Sequence, residues 1–232
     1  MVTIRYSNCQ KKRAATALMV GAADPHKDFI LITEPYLERR CHAGFGRKWS
    51  VNHSGSNSRA IIASPPGIPS LKLAQFSEPD AAFNLITVDG TEFILGCAYF
   101  EKGIIDVDKW NKLLKELTEL NENVIILADT NAHSILWGYN RSDPKGAKFE
   151  EVFTEGGMAV ITPDYFPTFK NSRNQHSCID VAFATPTVQH RLSERITGLM
   201  PSLSDHAIWE LNLYTGWAQS PWATTTEMKT FQ

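Results

Sequence analysis

Cysteine is scarce in the 232-residue chain, and its four copies are unpaired in spacing. Cys9, Cys41, Cys97 and Cys178 have no companion His motif. That argues against a zinc cluster or a disulfide framework and for reduced, buried thiols of a cytosolic or nuclear protein. Long apolar runs are also missing. The longest, such as Val124 to Ala128, are strand-length, so none spans a bilayer and no membrane partner is expected. The N-terminus lacks the charged-then-apolar layout of a secretory signal. There is no internal repeat, no long low-complexity tract and no strong excess of either charge, the net value being −2.

That balance does not advertise a nucleic-acid binder. Metal-holding carboxylates offset basic contacts, however, so local clusters matter more than the total. Lys11-Lys12-Arg13, Arg39-Arg40, Arg47-Lys48 and Lys170 to Arg173 can each face phosphates, or can each be a solvated charged face. What is plentiful is ordinary: 43% hydrophobic and 21% charged residues suit one soluble domain with a sizeable core.

The pattern alternates strands and helices. Thr3 to Ser7 reads as a strand, Lys12 to Ala23 as a helix, and Phe29 to Thr33 as a buried strand with Glu34 at its exit. A loop-rich stretch from Tyr36 to Ser58 leads to a strand at Arg59 to Ala63. Phe83 to Val88 and Glu92 to Tyr99 flank Asp89-Gly90, a type I′ hairpin signal. Val107, Trp110, Leu113, Leu114, Leu117 and Leu120 recur at helical spacing behind Asp106, a cap. Val124 to Leu127 is an apolar strand ending at Asp129, and a helix follows over Ala147 to Gly156. Strands close the pattern at Cys178 to Ala184 and Ala207 to Leu213, and the polar tail from Gly216 reads as a linker. These elements suggest a two-sheet sandwich flanked by helices, with polar residues gathered at strand ends.

Those strand-end residues carry chemistry. Phosphodiester hydrolysis needs a hard divalent cation, oriented water and donors for charge developing on the phosphoryl oxygens. Glu34 is the natural oxygen ligand for Mg²⁺. Asp129 and Asn131 lie two apart on what reads as an extended segment, so both can face one side. Asp129 can orient or deprotonate water, and Asn131 can donate to phosphate. His206 can donate to a phosphoryl oxygen if a neighbouring acid favours its charged form, and Asp180 is available for that task. Each also has a structural alternative: a strand exit at Glu34-Pro35, a turn at Asp129 to Asn131 with local side-chain to backbone bonds, a loop cap at Ser204-Asp205.

With these residues in place, the sequence resembles the endonuclease domain of LINE-type non-LTR retrotransposons. That is a branch of the endonuclease/exonuclease/phosphatase family, which also holds apurinic endonucleases and DNase I. The resemblance runs from Ile4 to Leu213. It rests on Asn8, the basic-then-Ala segment Lys11 to Thr16, Glu34-Pro35-Tyr36, Ser58 to Ile62 and Tyr99. It continues through Asp129-Thr130-Asn131-Ala132-His133 with Leu136-Trp137-Gly138, then Pro167-Thr168-Phe169, Ser177-Cys178-Ile179-Asp180 and Ser204-Asp205-His206. Ala128 stands where the family carries Gly, and Tyr6 where it carries Gln.

The resemblance implies a DNase I-like, four-layer α/β sandwich of two mixed β-sheets flanked by helices. It implies an endonuclease domain over 1–215 and a linker over 216–232 toward a reverse transcriptase of the same polyprotein. Glu34 and Asn8, helped by Asp205, would hold Mg²⁺, which Mn²⁺ could replace. Asp129 would activate water, Asn131, Tyr99 and His206 would hold the phosphate, and Asp180 would orient His206. The hairpin between Phe169 and Ser177 would touch double-stranded DNA through Lys170, Arg173 and Asn174, with Ser177 and Thr168 beside them. The nick would carry a 3′-hydroxyl that primes reverse transcription, in the nucleus after synthesis in the cytoplasm. An apurinic-site repair endonuclease, a phosphatase of small esters and a catalytically decayed DNA-binding module are the competing readings.

Overall fold

The fold is described from a computed structural model, for residues 1–38, 41–42, 44–101, 103, 105–162, 167–197 and 202–214. The expected tail, 216–232, and the Arg39-Arg40 cluster lie outside them.

The chain opens with β1 (Val2–Asn8), α1 (Arg13–Gly21), β2 (Asp28–Thr33), β3 (Leu37–Glu38), β4 (Cys41–His42), β5 (Ser50–Asn52) and β6 (Ala60–Ser64). Next come β7 (Ser70–Lys72), β8 (Ala81–Val88), β9 (Thr91–Tyr99), α2 (Val107–Leu120) and β10 (Val124–Asp129). A 3₁₀ turn (Ile135–Trp137) and α3 (Pro144–Glu155) follow, then β11 (Ala159–Val160), β12 (Phe169–Lys170), β13 (His176–Ser177) and β14 (Asp180–Ala184). The chain ends with α4 (Pro186–Gln189), β15 (Leu192–Thr197) and β16 (Ile208–Leu213).

One six-stranded sheet runs β15-β16-β1-β2-β6-β5 and the other β11-β14-β10-β9-β8-β7. Both are mixed: β1 pairs parallel with β2, and β9 parallel with β10, among otherwise antiparallel neighbours. Continuous apolar strands form here because both faces of each sheet are covered. Phe29 and Leu31 join Leu95, Ile125 and Leu127 in the core between the sheets. Ile30 and Ile32, on the opposite face of β2, pack with Ala15 and Met19 of α1. Ile94 and Ile126 turn away from the inter-sheet core toward Trp110 and Leu114 of α2 and Phe149 and Phe153 of α3. The result is four layers, helix, sheet, sheet, helix.

Three expectations shift. The stretch Tyr36 to Ser58 is not all loop, since β3, β4 and β5 are pieces too short to show a period. The helix expected at Ala147 begins at Pro144, because Asp143 caps it by accepting from Gly146 N–H and proline suits the first helical position. Helix α1 ends at Gly21 rather than Ala23. The hairpin at Asp89-Gly90 has positive φ at both residues, 46° and 79°, as a type I′ turn requires. Among the described residues, no helix is long and apolar enough to cross a membrane.

The topology brings chemistry to one end of the sandwich. Asn8, Thr33, Tyr99 and Asp129 are the last residues of β1, β2, β9 and β10, and Asp180 is the first of β14. Asp129 pairs with Tyr99 on one side and Asp180 on the other.

Candidate active site

A cavity of about 450 Å³ opens at this end, lined by Asn8, Glu34, Tyr99, Asp129, Asn131 and His206 among others. Its backbone is strained: Gln10, Lys11, Glu34 and Asn131 all have positive φ, between 45° and 55°. Non-glycine residues are held there only when the surroundings over-determine them, as at functional sites. At Asn131 the cause is local, because its N–H donates to Asp129 Oδ1 at 3.1 Å. Asp129 and Asn131 therefore meet across a tight turn. They do not lie along an extended segment.

Asn8 joins the two sheets. Its Nδ2 donates to Glu34 Oε2 at 3.1 Å and to Asp129 Oδ2 at 2.7 Å, while its Oδ1 accepts from Gln10 N–H at 2.7 Å. An amide between two carboxylates must turn its N–H groups to them. Asn8 thus bridges the acids, with its oxygen turned to the Gln10 backbone. Asp205 stands apart from the cavity lining, and its carboxylate meets Lys12 Nζ at 3.2 Å. Glu34, with Lys11 Nζ 3.6 Å from Oε1, keeps an accessible carboxylate facing the cavity.

Behind the cavity, His206 and Asp180 are buried together, with Nδ1 and Oδ2 2.8 Å apart. Tyr6 Oη donates to the other Asp180 oxygen at 3.1 Å. Tyr6 thus reaches from one sheet to the other and fixes this acid. Burial alone would lower the His206 pKa, but the Asp180 charge and hydrogen bond outweigh it and raise it to about 9. Burial first, and then the Asp180 charge, raise Asp129 to about 7, against the opposing pull of His206 and the Asn8 hydrogen bond. One buried group is thus a standing cation and the other a base poised near neutrality. Burial and the Glu34 charge push the Tyr99 hydroxyl up to about 12, which keeps it a donor.

Ligand atoms of Asp129, Asp180 and His206 lie within 4.8 Å of one another, close enough to suggest a cation cage. Asp180 does not line the cavity and its two oxygens face Tyr6 and His206, so the three read as a group that holds protons behind it. A hard divalent cation fits better at Glu34, whose carboxylate lines the cavity beside the Asn8 amide.

Supporting residues escape a sequence reading because only the fold assembles them. The Arg59 guanidinium meets Asp80 at 2.5 Å and Glu101 at 3.0 Å and lies 5.0 Å over the Tyr99 ring. Lys145 is buried and donates to the Phe100 and Glu101 carbonyls at 3.2 and 2.7 Å. Asn131 Nδ2 shares the Phe100 carbonyl at 3.2 Å. Trp137, of the Leu-Trp-Gly segment, is fully buried against Phe149 and Phe183, and Gly138 closes its turn at φ 92°.

The hairpin β12–β13 stands beside the cavity, with the Phe169 ring 4.9 Å from the His206 imidazole. Lys170, Arg173 and Asn174 are exposed and Ser177 lines the cavity. Asn171 Oδ1 accepts from the N–H groups of Arg173 and Gln175 at 2.9 and 3.0 Å, which orders the tip. Thr168 departs from the expectation of a DNA contact. It is fully buried, and its hydroxyl accepts from Ile179 and Asp180 N–H, so it positions Asp180.

The sequence model of an endonuclease–reverse transcriptase family matches residues 93–210, just over half of the chain. No curated protein matches. Among solved structures, the chain is similar to the endonuclease domain of TRAS1, a telomere-specific non-LTR retrotransposon. The TM-score is 0.78 at 23% identity, over 92% of this chain and 98% of that one. It is also similar to the AP endonuclease LMAP from Leishmania major, with TM-score 0.68 and 13% identity over 93% and 88% of the two chains. The catalytic domain of Xenopus laevis APE2 gives 0.65 and 14% over 94% and 95%. At these identities the likeness is one of fold, and the fold is DNase I-like.

Proposed function

The chain belongs to the endonuclease–reverse transcriptase family, and from that premise we propose that its cavity nicks double-stranded DNA in a Mg²⁺-dependent reaction. The nick carries a 3′-hydroxyl that primes reverse transcription of a retrotransposon in the nucleus. Residues 1–215 form the nuclease, and 216–232 lead toward the reverse transcriptase.

The observation that carries this reading is the Asn8 bridge. It draws Glu34 and Asp129 from different sheets into one cavity, where Asp129 faces a buried, acid-paired imidazole. Glu34 would hold the metal, which when bound would supply charge stabilisation to the phosphoryl oxygens. Asp129, poised near neutrality, takes a proton from the attacking water at its carboxylate oxygen. His206, cationic on account of Asp180, donates from its ring to a phosphoryl oxygen, and Asn131 and Tyr99 donate to others. Burial keeps these donors oriented before the reaction begins.

The test is single-turnover cleavage of two duplexes, one intact and one carrying an abasic site, with Mg²⁺ or EDTA. Comparable Mg²⁺-dependent nicking of both supports the reading. Cleavage confined to the abasic duplex replaces it with a repair activity.

A further inference from the structure

The reading above leaves His133 without a task, although the residue lines the same cavity as Glu34, Asp129 and His206. Its side chain is 47% exposed, while its backbone and ring are both held. The backbone N–H donates to Asp143 Oδ2 at 3.0 Å, and the carbonyl accepts from Asp143 N–H at 2.9 Å. That carbonyl oxygen would stand 1.8 Å from a Cβ on Gly146, so helix α3 can approach this closely only with glycine there. The ring stacks on Tyr139, with centroids 4.3 Å apart and planes at 25°. Tyr139 Oη in turn accepts from Cys178 N–H at 2.6 Å. Nδ1 lies 3.8 Å from Asp143 Oδ2, and Asp143 lines the cavity too.

An imidazole with a carboxylate near one nitrogen and access to water can collect a proton from solvent and deliver it into the cavity. Strand cleavage that leaves a 3′-hydroxyl requires such a delivery, because the departing 3′-oxygen must be protonated. The groups already described are engaged otherwise: Tyr99 keeps its hydroxyl proton, its pKa pushed up to about 12 by burial and the Glu34 charge, as a donor to a phosphoryl oxygen. Asp129 accepts a proton from water. His206 is sequestered against Asp180, which holds its proton in place as a fixed charge.

Resting on that nuclease reading, we propose that His133 is a further catalytic residue, the general acid for the leaving 3′-oxygen, with Asp143 and Tyr139 positioning its ring. The water oxygen bonds to phosphorus as one of its protons passes to Asp129. The bond from phosphorus to the 3′-oxygen breaks, its electron pair stays on that oxygen, and the proton comes from the His133 imidazolium. Asp129 then releases a proton to solvent and His133 regains one. The sum consumes one water and yields a 5′-phosphate and a 3′-hydroxyl.

The experiment uses a duplex containing a site that the wild type nicks, made once with the ordinary diester and once with sulfur in place of the bridging 3′-oxygen. A thiolate departs without protonation. His133→Ala is expected to lose on the order of a hundredfold or more in single-turnover rate on the oxygen diester. On the sulfur diester it should stay within about threefold of wild type, since no proton transfer is left to lose. Equal losses on both substrates, or no loss on either, would overturn the proposal. If His133→Ala does not fold by circular dichroism, His133→Gln is put through the same comparison and judged by the same criterion. Failure of the wild type to cut the oxygen diester would instead sink the nuclease reading, and this inference with it.

Discussion

Replacing Asp180 by Asn keeps the shape of the side chain and removes the charge that the buried imidazole faces. His206 is raised from its ordinary 6.5 to about 9 because Asp180 outweighs desolvation. That difference corresponds to about 3 kcal/mol in favour of the imidazolium. At pH 7.5 a group with a pKa of about 9 is roughly 97% protonated, and one below 6.5 is under about 10%. In the variant only desolvation and the more distant acids remain. The loss of imidazolium alone therefore removes about tenfold of activity at pH 7.5, and a less firmly held ring adds to it.

The pH profile is more telling than the rate. Asp129 is raised to about 7 first by burial and then by the same Asp180 charge, which outweighs the opposing His206 charge, so losing both lets it fall. Wild-type activity should rise as pH passes about 7 and decline through about 9, whereas in Asp180→Asn both limbs move to lower pH. Stability follows the same sign. A raised folded-state pKa stabilises fully below about 6.5, and that contribution disappears as pH climbs through about 9. The wild type should therefore lose melting temperature over that window and the variant should not. Plasmid nicking at constant ionic strength from pH 5.5 to 9.5, with parallel thermal melts, reads both effects. Unchanged limbs in Asp180→Asn would refute the coupling of His206, Asp180 and Asp129.

Glu34→Ala should abolish nearly all nicking with the fold intact by circular dichroism; activity within about tenfold of wild type, or about 1.4 kcal/mol of barrier, would remove Glu34 from metal binding. Arg173→Ala with Asn174→Ala should shift which sites are nicked, read by nucleotide-resolution mapping, while total cleavage of supercoiled plasmid falls only modestly. Trp137→Ala should cost about 3–5 kcal/mol in a denaturant melt, because its indole fills the space between Phe149 and Phe183.

Much of this architecture is visible in the chain itself. Phe29 to Thr33 and Val124 to Asp129 are continuous apolar runs because helices cover the outer face of each sheet, and α2 announces itself by its period and its Asp106 cap. The end residues Glu34, Asp129 and His206 are legible because strong acids and imidazoles seldom follow such strands without purpose. Other features depend on distance in space. Thr168 reads as a surface hydroxyl until the fold buries it under β14. Asn8 stands out as a strand-end amide, but only the fold shows it lying between two carboxylates. Tyr6 looks like a loss of a polar residue, yet its hydroxyl replaces that polarity across the sheet interface, 174 residues from Asp180. Lys145 and Arg59 have no motif of their own, because what they hold is backbone carbonyls in one case and two distant carboxylates and a ring in the other.

The most direct test is the chemistry of the nicked end. Supercoiled plasmid is incubated with the purified chain and Mg²⁺, and the products are offered to a DNA polymerase with labelled nucleotides, with and without prior phosphatase treatment. The account predicts Mg²⁺-dependent open circles whose 3′ ends are extended without phosphatase. Intact plasmid from a folded, DNA-binding protein, or ends that extend only after phosphatase, would contradict it.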